Sequence, residues 1–247
     1  MSNHPNDAPP ERQTTISPRR TAVVAGVAYA VLIVLGLFFN FVVLGLIEPD
    51  DAAVTVDNIG DAGLLFRTGL VAFIVVLIAD VVVAWGLYVF FQRTSRELSV
   101  FAAWFRLLYV AVAAAAVLNL LVAGKLVDGT GYPATLETVQ RNAQVMLSLD
   151  GFIYGWRVSL VAFGVHLLLL GFVMVKSRYA PRALGMLVGL AGIGYVLTSL
   201  VGILMATFDR NLAVLLLAVV TVPGEFGLTT WLLWKAGRGQ VILGRSG

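Results

Sequence analysis

Residues 64–91 read LLFRTGLVAFIVVLIADVVVAWGLYVFF, an apolar run in which Arg67 and Asp80 are the charged residues. A helix of this length exceeds the ~20 residues that cross the hydrocarbon core of a bilayer. Asp80 stands near the middle of the run, where a charge costs at least ~2.5 kcal/mol and usually faces a partner or a cavity. The run therefore predicts a transmembrane helix with a polar site inside it.

Similar apolar stretches fill most of the remaining chain. They run roughly over 22–47, 98–123, 148–175, 182–206 and 212–234. Of the 247 residues 59% are hydrophobic and 13% are charged, and the mean hydropathy is +0.91. This composition is typical of membrane proteins. We predict an all-α fold, a polytopic membrane helical bundle with six transmembrane helices. The predicted partner of this bundle is the lipid bilayer that surrounds it.

The two ends of the chain are predicted to lie outside the bundle. Residues 1–20 are rich in Pro, Asn, Ser and Thr, so we expect a disordered cytoplasmic tail. The apolar run after Arg20 is too long for a signal peptide and should remain as an anchor. The transmembrane domain is predicted over 21–236, and 237–247 form a short cytoplasmic tail.

Basic residues alternate between abundant and scarce from loop to loop. The tail, the second and fourth turns and the C-terminus hold Arg12, Arg19, Arg20, Arg93, Arg96, Lys176, Arg178, Arg182, Lys235, Arg238 and Arg245. The positive-inside rule then places both termini in the cytoplasm, in a multi-pass protein of the cell membrane. A net charge of +3 with its basic residues at helix ends does not predict a nucleic-acid partner.

The two longer outer loops carry different patterns. The first, EPDDAAVTVDNIGDAG (48–63), is acidic and is predicted to be a solvated flap. The second, YPATLETVQRNAQVMLSLD (132–150), has apolar residues at helical spacing. It is predicted to be either a short helix along the membrane interface or an extension of the fourth span.

Six polar side chains, one from each predicted span, fall at a similar depth. Counted at ~1.5 Å per residue from the nearest basic cluster, they lie ~14–20 Å inside the membrane. They are Tyr29, Asp80, Arg106, His166, Tyr195 and Glu225, called the midplane layer below. These are the predicted ligand- or proton-binding residues. The alternatives are a polar latch that only joins helices, or a metal or catalytic centre.

A second set of polar residues is predicted nearer the outer face. This outer layer comprises Arg67, Asn119, Asp150, Tyr154 and Arg157. Asp150, Tyr154 and Arg157 follow i, i+4, i+7 spacing and therefore share one helix face. Arg67 is the predicted partner of Asp150. Interfacial snorkelling and clamping of loops is the alternative to a functional role.

Cofactor signals are weak or missing in the sequence. The chain has no cysteine, so iron–sulfur clusters, disulfides and thiol catalysis are excluded. No covalent haem is expected, and all three lysines lie at membrane boundaries, so no retinal is expected either. Asp80, His166 and Glu225 carry suitable donor atoms, but no HExxH-like spacing supports them, and no metal site is predicted.

Several quoted motifs resemble a known family. They are AGVAY (25–29), LLFRTG (64–69), IADVVVAWGLY (78–88), WFRLLYV (104–110), the run from Leu149 to Tyr195 and PGEFGLTTWLLW (223–234). The chain resembles a bacterial and archaeal family of integral membrane proteins described only as a domain of unknown function. The resemblance covers about residues 18–236 and implies six spans. It implies no activity.

Three functions are compatible with these patterns. The first is binding or transport of a small or lipophilic molecule, such as a lipid, at the midplane layer, with proton coupling through its acids. A homodimer would compensate for the small size of such a transporter. The second is an intramembrane enzyme that uses Asp80, His166 and Glu225, although no nucleophile motif supports it. The third is an accessory membrane subunit in which the polar layer is only a latch.

Overall fold

A computed structural model describes residues 18–205 and 222–236, and both parts are helical. The helices are α1 (Pro18–Phe38), α2 (Ala52–Asp61), α3 (Gly63–Phe91), α4 (Arg96–Asp128), α5 (Thr138–Lys176), α6 (Arg182–Leu204) and α7 (222–231). A π-helix, Phe39–Val43, and a 3₁₀ turn, Leu44–Leu46, continue α1. A second 3₁₀ turn, Tyr132–Thr135, precedes α5, and a π-helix, Leu232–Ala236, follows α7.

Helices long and apolar enough to cross a membrane cover Arg20–Leu46, Gly63–Phe91, Arg96–Asp128, Thr138–Lys176 and Arg182–Leu204. They coincide with the first five predicted stretches, so the all-α class and five membrane-length helices are confirmed. The sixth stretch, 212–234, lies partly outside the described residues, as do 1–17 and 237–247. Six spans and two cytoplasmic termini therefore stay predictions.

The long helices are arranged as a ring. Extensive contacts join α1 to α3, α3 to α4, α4 to α5 and α5 to α6. Helix α7 completes the ring because Gly224 lies against the backbone of Leu187 on α6, while Leu233, just after α7, lies against Gly26 on α1. Side chains from the six helices of the ring, α1 and α3–α7, can therefore meet along the axis of the bundle.

Glycines allow α5 and α6 to approach at backbone distance. A Cβ atom added to Gly171 would lie 2.6 Å from the carbonyl oxygen of Gly185. One added to Gly192 would lie 2.6 Å from the carbonyl oxygen of Gly164. Small residues commonly allow such close approach in membrane helices, because van der Waals packing between the helices, rather than burial of surface from water, drives their association.

The acidic loop that precedes α3 is not the predicted solvated flap, because it contains helix α2. The side chain of Asp51 caps this helix by accepting hydrogen bonds from two backbone N–H groups of its first turn. The Thr55 hydroxyl bonds the N–H and the C=O of Glu48 at 2.9 and 3.0 Å. Ile59 is buried, and α2 contacts α3, α4 and α5. The end of the bundle beside this helix is called the α2 end.

The second long loop forms an extension of the fourth predicted span, which is one of the two predicted alternatives. Helix α5 runs without a break over Thr138–Lys176, so the predicted interfacial helix is its first part. Helix α4 stops at Gly129, whose φ of 61° ends it with a left-handed residue. The remaining connection, residues 130–137, holds only the 3₁₀ turn.

Candidate functional site

Arg106 of α4 is the centre of a buried polar cluster. Its side chain is fully buried, and its Nε donates a hydrogen bond of 2.9 Å to Oδ1 of Asp80 on α3. Nη2 donates to the same oxygen. Nη1 donates to the Tyr29 hydroxyl on α1 at 2.9 Å and to Nε2 of His166 on α5 at 3.1 Å. One guanidinium thus links four helices.

The surroundings of Arg106 explain why a charge can be buried here. It belongs to a stripe at helical spacing along α4 whose other buried members are mainly small or aromatic: Ser99, Ala102, Ala103, Tyr109, Ala113 and Ala116. The guanidinium carbon also lies 4.8 Å from the ring centroid of Tyr29 and 5.2 Å from that of Phe163. The Asp80 carboxylate, four hydrogen bonds and two aromatic faces replace the water that Arg106 loses.

His166 is held in one tautomer by its two partners. A guanidinium only donates, so Nε2 of His166 must accept the hydrogen bond from Arg106. Nδ1 then carries the proton and donates to the Ala102 carbonyl oxygen at 2.8 Å. Both ring nitrogens are thereby engaged in a neutral imidazole. This arrangement does not support His166 as a metal ligand or as a general base.

Glu225 of α7 lies apart from this cluster. It accepts a hydrogen bond of 2.7 Å from the Tyr195 hydroxyl on α6, while the ion pairs among the described residues are Arg106–Asp80 and Arg67–Asp128. The six predicted residues therefore form two groups. The arginine hub consists of Tyr29, Asp80, Arg106 and His166, and the second group is the Tyr195–Glu225 pair.

A cavity of about 240 Å³ joins the two groups. Its polar lining comes from Asp80, Tyr109, Tyr195 and Glu225, with Asn40 on the π-helix after α1, and the rest of its wall is almost entirely apolar. The apolar lining extends from these groups toward the α2 end, along the second half of α1, the first half of α3, the middle of α5 and the start of α7. The cavity is therefore an apolar chamber with a polar floor.

The floor contains an unsatisfied acceptor. Oδ2 of the fully buried Asp80 has no hydrogen-bond partner among the described residues. Both hydrogen bonds that Arg106 donates to Asp80 go to the other oxygen, Oδ1. The Tyr109 phenol interacts electrostatically with the same carboxylate and is near enough to act as a hydrogen-bond donor to it. Buried carboxylate oxygens are rarely left without a donor, so Oδ2 can accept a hydrogen bond from Tyr109 or from a bound molecule.

Aromatic rings form much of the chamber wall. Phe39 and Phe73 have ring centroids 4.4 Å apart, and Phe73 and Trp156 are 5.3 Å apart. Nearer the floor, Phe163 lies 4.9 Å from Tyr109 and 5.1 Å from Tyr195. All of these residues line the cavity. Phe39 begins the π-helix of α1, a local irregularity that is often found at functional sites.

Sequence reasoning missed several residues of this site. Tyr109 follows Arg106 by three residues and shares its helix face, so i, i+3 spacing was an available signal. Trp156 and Phe73 carried no such signal, because aromatic residues are common in apolar spans. The exposed cavity residues Leu37, Asn40, Val222 and Phe226 lie where α1 and α7 face each other.

The predicted outer layer does not form one cluster. Arg67 pairs with Asp128 at 2.8 Å, so the prediction that it pairs with Asp150 is wrong. Arg67 lies near the start of α3 and Asp128 ends the neighbouring antiparallel α4, whereas Asp150 is exposed on α5. The partner of Arg67 is therefore decided by which helix lies beside α3 in the ring, rather than by the depth of the acidic residue in the membrane.

The other outer residues have local contacts. Arg157 donates to the Gly202 carbonyl oxygen near the end of α6, where a cation offsets the free carbonyl groups. Its guanidinium carbon lies 5.7 Å from the Tyr154 ring. The Asn119 amide donates to the Ala116 carbonyl oxygen at 3.2 Å. Of these contacts, the bond from Arg157 to Gly202 joins α5 to α6, and the other two each lie within a single helix.

The geometry gives no support for a metal centre. Within the described ranges, no three His, Asp or Glu side chains come together as a metal site requires. Asp80, His166 and Glu225 are divided between the arginine hub and the Tyr195 pair. What the site offers is two carboxylates and an apolar chamber.

Comparison with known proteins identifies the family. The model of the domain of unknown function DUF4386 matches residues 24–236. An uncharacterized protein from Archaeoglobus fulgidus is 30% identical over 131 residues, which are 53% of this chain and 65% of the relative. The alignment thus covers a little less than two thirds of the relative's length. No solved structure matches the chain significantly. Because the family model covers most of its length, the protein belongs to the DUF4386 family of unknown function.

Proposed function

We propose that the protein binds a small lipophilic molecule in the cavity at the midplane layer. The observation that carries the proposal is a chamber of about 240 Å³ with an apolar aromatic wall and a polar floor at Asp80 and Glu225. Ligand sites generally combine mostly apolar linings with a few polar groups that orient the ligand.

The size of the chamber supports a compact ligand. An engineered apolar cavity of about 150 Å³ holds benzene, and drug-sized ligands occupy about 300–1,000 Å³. A volume of about 240 Å³ falls between them and fits a molecule with one or two rings or a short alkyl chain. A complete phospholipid is too large for the chamber.

The exposed lining residues support an approach from the side of the bundle. Leu37, Val222 and Phe226 are 47%, 47% and 45% exposed, and Asn40 beside them is exposed as well. In a membrane, the gap between α1 and α7 would face the acyl chains. A lipophilic ligand concentrated in the bilayer would therefore reach the chamber without crossing water.

Transport would require more than this binding site. Away from the α2 end the chamber is bounded by the arginine hub, which joins α1, α3, α4 and α5. A second opening would require these helices to separate and would leave a buried arginine without its partners. We therefore propose ligand binding as the primary activity, and transport as a further activity that would require these helices to separate.

A structural latch is the second candidate function. It is favoured by Arg106, which is fully buried and bonds residues of three other helices. The two candidate functions depend on different parts of the midplane layer. A latch needs the arginine hub, whereas ligand binding also needs the chamber and Glu225.

Native mass spectrometry of the detergent-purified protein tests the binding proposal. Gly36 lines the chamber, and a Cβ added there meets nothing within 4 Å, so Gly36→Phe should fill the chamber while the protein folds. Gly45→Phe is the matched control, because an added Cβ at Gly45 is equally free but the residue does not line the chamber. A co-purified small molecule should appear in wild type and in the control and be lost in Gly36→Phe.

A sample purified without a ligand is tested by adding a neutral naphthalene derivative, 1-naphthylmethanol. The proposal is overturned if a bound mass persists in Gly36→Phe. It is also overturned if the wild-type protein carries no mass and binds neither this compound nor its amine counterpart, 1-naphthylmethylamine, better than Gly36→Phe does.

A further inference from the structure

We propose that the chamber selects a protonated primary or secondary amine that carries a small apolar group. This inference rests on the proposed function and specifies the ligand class. The ammonium group would lie on the floor, between Asp80 and Glu225, and the apolar group would fill the aromatic chamber.

The charges around the floor do not cancel. Asp80 and Arg106 form a buried ion pair that is neutral overall, and His166 is a neutral imidazole by its hydrogen bonding. Glu225 takes part in no ion pair among the described residues, and Tyr195 offers it a neutral hydroxyl. With both acids ionised the floor has an excess of one negative charge, which a monovalent cation would balance.

The hydrogen-bond acceptors of the floor favour a ligand that carries N–H donors. Oδ2 of Asp80 is buried and has no partner within the described residues. The Glu225 side chain keeps some exposure and lines the same chamber. An ammonium group with two or three N–H bonds can donate to both carboxylates. A quaternary ammonium could balance the charge but has no N–H group to donate to Asp80 Oδ2 or to Glu225.

The aromatic wall favours the same ligand. Trp156, Tyr109, Phe163 and Tyr195 line the chamber, and neighbouring rings in this group are 4.9–5.8 Å apart. Ring faces attract cations, and desolvated cation–π contacts are among the stronger ones. The same faces accept the apolar part of the ligand, so the wall suits both ends of an arylalkylamine.

Other ligand classes fit less well. An anion would meet two carboxylates, and Arg106, the cation nearby, already donates to Asp80, Tyr29 and His166. A neutral alcohol supplies one O–H donor for two carboxylates and leaves the excess charge uncompensated. Within one size class, the floor should therefore rank a primary amine above a quaternary amine and above an alcohol.

Isothermal titration calorimetry in dodecylmaltoside micelles tests this ranking. Three ligands with the same naphthyl group are compared near neutral pH: 1-naphthylmethylamine, its N,N,N-trimethyl derivative and 1-naphthylmethanol. Empty micelles provide the partitioning blank. Wild type should bind the primary amine at least about tenfold more tightly than the alcohol, since hydrogen bonds to charged groups exceed neutral ones by roughly that factor. The quaternary amine should lie between them.

Variants connect the preference to the proposed residues. Glu225→Gln removes the charge but keeps an acceptor for Tyr195, so the ratio of amine to alcohol affinity should fall toward one. Glu225→Asp keeps the charge and should retain part of the preference. Gly36→Phe should weaken binding of all three ligands, and a thermal unfolding curve confirms that each variant is folded.

The outcomes separate the two proposals. If wild type binds the alcohol as tightly as the amine and Gly36→Phe weakens that binding, the amine inference is overturned while the binding proposal stands. A preference for the amine that survives in Glu225→Gln also overturns the inference. If wild type binds none of the three ligands better than Gly36→Phe does, the binding proposal fails and the inference fails with it.

Discussion

Arg106 donates two hydrogen bonds to one oxygen of Asp80, Oδ1, and leaves Oδ2 without a partner among the described residues. A two-pronged arginine–carboxylate pair usually engages both oxygens. Here the carboxylate is divided between two tasks, because Oδ1 balances the buried arginine while Oδ2 belongs to the chamber floor. Helix packing and the proposed ligand site therefore share one side chain.

Asp80→Asn should strongly destabilise the protein. The substitution leaves Arg106 buried without its counter-charge, a type of change that costs about 3–5 kcal/mol. Thermal unfolding followed by tryptophan fluorescence should show a midpoint lowered by about 6–20 °C, at about 2–4 °C per kcal/mol for a chain of this size. The double variant with Arg106→Gln removes both charges and should unfold at a higher temperature than Asp80→Asn alone. An unchanged midpoint in Asp80→Asn would contradict the latch.

Glu225→Gln should have a small effect on the same unfolding midpoint. Glutamine keeps an oxygen that can accept the Tyr195 hydrogen bond, and no ion pair of Glu225 is lost among the described residues. We expect a loss below about 1 kcal/mol, the usual net value of a neutral hydrogen bond. A loss as large as that of Asp80→Asn would show that Glu225 supports the bundle rather than the chamber.

His166 should carry its proton on Nδ1. Arg106 can only donate, so Nε2 of His166 must be unprotonated where the two meet. Nitrogen-15 NMR of histidine-labelled protein distinguishes the two tautomers, and a His166→Gln sample identifies the signal against that of His4. A proton found on Nε2 would mean that the hydrogen bond between Arg106 and His166 is absent.

Gly171→Ala should disrupt the packing of α5 on α6. The new Cβ would lie 2.6 Å from backbone atoms of Gly185 and Gly189, and backbone cannot rotate away as a side chain can. The cost of such overpacking is typically about 1–3 kcal/mol. Gly189→Ala lies at the same interface but adds its Cβ to open space, so it should unfold like wild type. Equal midpoints for the two variants would contradict the close approach.

The predicted orientation can be tested by labelling single cysteines, because the chain contains no cysteine. Asp57 on α2 and Arg93 in the turn after α3 are both exposed and lie at opposite ends of α3. A membrane-impermeant maleimide should label Asp57→Cys in intact cells and Arg93→Cys only after permeabilisation. The reverse result would invert the orientation that the positive-inside rule predicts.

Tertiary structure decided how the polar residues are grouped. Asp80, Arg106 and Glu225 fall at similar predicted depths, yet of the two acids it is Asp80 that bonds Arg106, while Glu225 bonds Tyr195. Arg67 likewise pairs with Asp128 instead of Asp150. Depth follows from a fixed rise per residue, but a partner also depends on how each helix is rotated and which helix lies beside it. Spans that are hydrophobic on all sides carry little information about rotation in their sequence.

The sequence by itself determined the class of the protein, the positions of five membrane-length helices and, among the buried polar side chains, Asp80, Arg106 and His166. These follow from local properties, namely the length of apolar runs and the cost of placing a charge in lipid. Only the tertiary structure revealed the closed ring, the arginine hub and the chamber, since a cavity is bounded by side chains from six helices far apart in the chain. No local pattern specifies the space left between them, because that space depends on how closely glycine-rich pairs such as α5 and α6 can pack.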